Sequence, residues 1–95
     1  MRKSEVIEKL RAHKADIQKK YPVESLALFG SYAREEESAG SDVDILVEFN
    51  APVGIEYIDL MLELEMILTM PVDLVIKKNL YPEIKPHVDR DMIII

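Results

Sequence analysis

Residues 42–49, DVDILVEF, limit what this chain can fold into more than any other stretch. The pattern alternates, so Val43, Ile45 and Val47 leave one face of a strand while Asp42, Asp44 and Leu46 leave the other. The first face needs an apolar cover. The second presents carboxylates, which are costly to bury unless something positive meets them. The run before it, SLALF at 25–29, is a continuously apolar strand that stops at Gly30-Ser31.

The flanking sequence supplies the cover. Val6, Leu10, Ile17 and Tyr21 follow a three-to-four residue rhythm up to Pro22, broken only around His13-Lys14. With Ser4 as N-cap and Glu5 in the first turn, this predicts an amphipathic helix lying on one side of a sheet. His13, near its apolar face, reads as structural rather than as a ligand. YAREEE (32–37) predicts one or two helical turns, SAGS (38–41) a loop and NAPVG (50–54) a turn. Residues 55–70 form a helix apolar around much of its circumference, which predicts packing on two sides with its methionines as filler. After Pro71, VDLVI (72–76) is a third strand with Asp73 and Val75 on one face. Pro82 and Pro86 keep any helix in the tail short, and DMIII closes the chain as a last strand. The expected whole is one domain, 1–95, of α/β (α+β) type on a small sheet.

Charge is spread unevenly. Of the 12 basic and 18 acidic residues, the middle of the chain (21–75) holds a single cation, Arg34, against twelve acids. A broad nucleic-acid surface needs clustered Lys and Arg, so nucleic acid is not expected as a direct partner. There is no cysteine, which excludes disulfides and thiolate metal sites. No apolar run is long enough for a membrane span or a signal sequence, so a cytoplasmic location is expected.

Asp42 and Asp44 lie two apart on a strand, with Cα atoms roughly 6.5–7 Å apart and side chains on one face. That suits carboxylates converging on one or two divalent cations, which in two-metal phosphoryl-transfer sites lie about 3.5–4 Å apart. An all-oxygen donor set favours Mg²⁺ or Mn²⁺ over zinc. Asp73, alone in an apolar strand, can supply a third carboxylate if the strands are neighbours. Gly30 allows close backbone approach to a ligand, and Ser31 adds a hydroxyl. Arg34 can pair with a carboxylate or touch a nucleotide phosphate; both readings stay open. A D-x-D pair alone is common. Gly-Ser at a fixed distance before it, and a later strand with one acid, make the combination specific. Lys77, Lys78 and Lys85 read chiefly as solvated. Without a cation, three converging acids repel, and at least one pKa should rise.

Gly30-Ser31, ten intervening residues and Asp42-x-Asp44 resemble the G-S-x(10)-D-x-D signature of the DNA polymerase β-like nucleotidyltransferase superfamily. From about Tyr21 onward, GSYAR, SDVDILVEF and PVDLVIKKNL look like its minimal nucleotidyltransferases, the MNT or MntA-like antitoxins. The resemblance implies a mixed-sheet palm flanked by helices and a site for ATP and Mg²⁺, with two ions. It also implies transfer of a nucleoside monophosphate to a hydroxyl. By the same resemblance Asp42, Asp44 and Asp73 would hold metal, with Asp73 helping to deprotonate the acceptor. Gly30 and Ser31, with Arg34, would hold the nucleotide. The implied partner is a small all-helical HEPN toxin, some of which are adenylylated on tyrosine; a hetero-oligomer or a homodimer is expected. The alternative is a non-catalytic nucleotide-binding or docking module that neutralises a helical partner sterically. One departure is visible: many relatives carry glycine after the arginine, where this chain has Glu35.

Overall fold

A computed structural model describes residues 1–95. Helix α1 (Lys3–Lys20) leads to strand β1 (Val23–Phe29), the single turn α2 (Gly30–Ala33) and strand β2 (Val43–Phe49). Helix α3 (Glu56–Leu68) and strand β3 (Val72–Ile76) follow. A 3-10 turn (Lys77–Asn79), helix α4 (Lys85–Asp91) and the short strand β4 (Ile93–Ile94) complete the chain. No helix is long and apolar enough to cross a membrane.

The four strands form one mixed sheet in the order β3-β2-β1-β4. β1 runs antiparallel to β2 and to β4, while β2 and β3 are parallel. A parallel pair needs a crossover, and α3 provides it. The core follows the alternation read from β2. Val43, Ile45 and Val47 join Leu26, Leu28 and Leu74 under Val6, Leu10 and Ile17 of α1 and Leu60, Leu64 and Leu68 of α3. Ala27 and Leu46 are buried on the other face, outside that cluster. Arg11 and Lys14 tie α1 to the last strand by donating to the carbonyls of Ile94 and Ile95, each at 3.1 Å.

Several local expectations are corrected. Helix α1 starts at Lys3, with Arg2 rather than Ser4 as its N-cap. Glu5 accepts the Arg2 backbone N–H at 3.2 Å, so the first-turn acid satisfies the donor of the cap residue itself. His13 is exposed, its ring bonded to the Lys9 carbonyl at 2.9 Å. The helical turns expected over 32–37 shrink to Gly30–Ala33, because Glu35 turns left-handed at φ 57°. Helix α3 packs on one side only: Ile55 (72% exposed), Leu62 (50%) and Met66 (80%) face outward. The sheet offers a single covered layer, so nothing meets that stripe. Met61 and Met70 do pack against the core.

Two non-glycine residues sit in the left-handed region, Glu35 and Thr69 (φ 55°), the latter ending α3 two residues before Pro71. A left-handed conformation costs an L-residue roughly 1–2 kcal/mol, and most for a β-branched one. Glu35→Gly and Thr69→Gly are therefore each expected to raise thermal stability by about 1 kcal/mol, a few degrees in Tm for a chain of this size. The Lys3–Glu35 pair, at 3.7 Å on the surface, is too weak to reverse the first gain. Thermal unfolding that leaves both variants at or below the parent Tm would contradict this reading of the turns.

Candidate active site

Sheet register assembles the acids. Asp44 of β2 lies between Phe29 of β1, its antiparallel partner, and Asp73 of β3, its parallel partner. Neighbouring strands are about 4.8 Å apart, so Asp44 and Asp73 stand side by side. Asp42 immediately precedes β2 and shares the parity of Asp44. The face they occupy is the one α1 and α3 leave open. Asp42 and Asp73 are exposed and Asp44 is half-buried. The expected burial cost of an acid pair thus falls on Asp44 alone.

That residue carries the electrostatic strain. Its carboxyl is pushed up to about 6, first by burial, then by the charges of Asp73 and Asp42, with Arg34 pulling the other way. Arg34 is near enough to be felt by Asp44, yet its ion pair is with Glu36, at 3.3 Å and largely exposed. Such a surface pair exchanges easily, which leaves the guanidinium available to an anion.

Gly30 has a reason to be glycine that is steric. Its φ is +73°, and a Cβ placed there would lie 1.9 Å from Oδ2 of Asp44. The missing side chain makes the space that Asp44 occupies. Buried Tyr32 and Ala33 anchor the turn from below, which fixes Gly30 and half-buried Ser31 against the strand end. Lys77 pairs with Glu48 at 3.4 Å, while Lys78 and Lys85 are exposed.

As the side chains stand, no three of the acids and histidines close tightly around a common point. The donor set nevertheless fits a hard divalent cation. It is all oxygen, it lies on an open face, and the charged form of Asp44 is disfavoured until positive charge arrives. A hollow of about 300 Å³ adjoins it, with Gly30 and Arg34 on one wall and, on the other, His87 and Val88 of α4 and its cap residue Ile84. Sequence reading missed α4 as a wall, because the proline-broken tail offers no periodicity to place it. A larger hollow, about 570 Å³, lies by Arg2, Lys3 and Glu37; none of the three acids lines either hollow, and only the smaller one is lined by Gly30 and Arg34.

Residues 10–95 match the nucleotidyltransferase domain family. The chain belongs to this family. A candidate protein adenylyltransferase of Methanocaldococcus jannaschii is 48% identical over 94 residues, 95% of this chain and 94% of its own length. The protein adenylyltransferase MntA of Thermococcus cleftensis is 40% identical over 85 residues, 88% of this chain and 86% of that protein. Among solved structures, a candidate minimal nucleotidyltransferase superposes with a TM-score of 0.75 at 31% identity, covering 98% of this chain and 95% of that one. A chain from the complex of tri-AMPylated Shewanella oneidensis HEPN toxin with MNT antitoxin shares the fold. Its TM-score is 0.58 at 22% identity, over 97% of this chain and 66% of that one. The protein is a nucleotidyltransferase of the minimal, MntA-like kind, and the family match reaches back into α1, beyond the stretch from about Tyr21 that carries the sequence resemblance.

Proposed function

We propose that this nucleotidyltransferase moves AMP from ATP to a hydroxyl, on a tyrosine, of a partner HEPN toxin and so acts as its antitoxin. The observation that carries this reading is the row Asp42, Asp44 and Asp73 on the open face, with side-chain-free Gly30 against Asp44. The naming of the Thermococcus relative as a protein adenylyltransferase adds support. Mg²⁺ held by Asp42, Asp44 and Asp73 would supply neutralisation of phosphate charge and polarisation of the acceptor oxygen. Gly30, Ser31 and Arg34 bind the triphosphate, Arg34 exchanging Glu36 for a phosphate oxygen. Asp73, exposed like Asp42, takes the acceptor proton in this reading. An open face on so small a domain leaves one side of the reaction for the partner to cover, which is why the acceptor is assigned to a protein that docks there. A cytoplasmic location fits an ATP-dependent reaction.

The test mixes the purified HEPN partner with this protein, ATP and Mg²⁺ and weighs the partner by mass spectrometry. The expected result is a mass gain of one or more AMP units, lost with Asp42→Ala plus Asp44→Ala and with metal removal by a chelator. No gain, or a gain that survives the double substitution, defeats the enzymatic reading. The exposed stripe on α3 favours a second reading, steric neutralisation by docking. A double variant that still blocks the toxin without modifying it would support that one.

A further inference from the structure

We propose that α4 is the outer wall of the pocket for the nucleotide's phosphate tail, with His87 donating to the β- or γ-phosphate from the side opposite Arg34. The inference rests on the reading that Gly30, Ser31 and Arg34 hold the triphosphate. It adds a helix and a residue that the motif does not contain.

Three observations lead there. The hollow of about 300 Å³ has Gly30 and Arg34 on one side and Ile84, His87 and Val88 on the other, so any group touching Arg34 in it faces α4. Helix α4 packs against α2, which holds that wall at a fixed distance from the Gly-Ser turn. Phe29, also part of the lining, is the strand partner of Asp44, so the hollow opens beside the acids. Among its lining side chains, Arg34 and His87 alone carry hydrogen-bond donors that suit an anion. The ring of His13 is engaged by the Lys9 carbonyl; that of His87 is exposed and free. Asp91, the one acid on the wall, is paired with Arg90 at 3.4 Å, which limits its repulsion of phosphate. Ile84 and Val88 supply the apolar part of the same wall.

The position predicts a selective defect. His87→Ala should weaken Mg-ATP binding about tenfold, as expected for a lost hydrogen bond to a charged group. AMP, which has no β- or γ-phosphate, should bind unchanged. His87→Gln, which keeps a donor, should restore most of the ATP affinity. In the transfer assay, KM for ATP should rise while kcat holds. Calorimetric titration of the full chain with Mg-ATP and with AMP reads the first three, with circular dichroism confirming the fold of each variant. Equal ATP affinity in parent and His87→Ala, or an equal loss for ATP and AMP, overturns the role of α4. A parent protein that binds no Mg-ATP overturns the proposal together with the nucleotide reading on which it rests.

Discussion

Asp44→Asn is expected to abolish nucleotidyl transfer and, in the absence of metal, to make the protein more stable at neutral pH. The loss of transfer follows from removing the middle carboxylate of the row, and should be at least about a hundredfold. The gain in stability follows from linkage. The Asp44 carboxyl titrates near 3.8 when unperturbed and at about 6 in the fold. A raised folded pKa gives stability that is full below the unfolded value and is lost as pH climbs through the folded one. Two units correspond to roughly 3 kcal/mol at most, and half-exposure with solvent screening reduces this to about 1. Asparagine has no such titration. The Tm gap between Asp44→Asn and parent should therefore be near zero at pH 4, open between pH 4 and 6, and stay level above pH 7. Mg²⁺ should narrow it by stabilising only the parent. A gap independent of pH would mean that Asp44 is not the strained group.

Gly30→Ala carries the second large effect, and it is a stability and activity loss together. Alanine at φ +73° costs about 1–2 kcal/mol by itself. Its Cβ also meets Oδ2 of Asp44 at 1.9 Å and Cγ at 2.8 Å, so either the carboxylate rotates away or the turn shifts. Overpacking of this kind adds roughly 1–3 kcal/mol. A Tm fall of ten degrees or more is expected, with transfer reduced at least about a hundredfold. The two residues should be coupled. In an Asp44→Ala background the carboxylate is gone and only the Cβ of position 44, at 3.0 Å, stays close, so Gly30→Ala should cost little more than its backbone share. Additive effects in that double-mutant cycle would rule out the steric account.

Much of this fold was legible because each strand obeys one simple constraint. DVDILVEF must place its valines and isoleucine inward, and Pro22 and Pro71 mark where helices cannot continue. The row of candidate acids was legible for a related reason: an acid alone in an apolar strand, such as Asp73, has no packing explanation, and the register sets it beside Asp44. What stayed hidden was non-local. Composition made α3 look packed all round, but burial depends on how many layers lie beside a helix, which no window of α3 reports. The left-handed turn at Glu35 was visible only as a departure from the glycine of relatives. The contribution of α4 was invisible because Pro82 and Pro86 interrupt the periodicity that would place a helix face.

The parallel pairing of Asp44 with Asp73 sets limits on length change. Side chains alternate along β3, so adding or deleting one codon between Leu68 and Val72, if the pairing slips with it, would turn Asp73 into the core and Leu74 out to solvent. A two-codon change keeps the parity but carries Asp73 a full step past its partner. This connection should tolerate substitutions, including the glycine expected to stabilise position 69, far better than insertions or deletions. The length of this connection is thus held more tightly than the identity of residue 69.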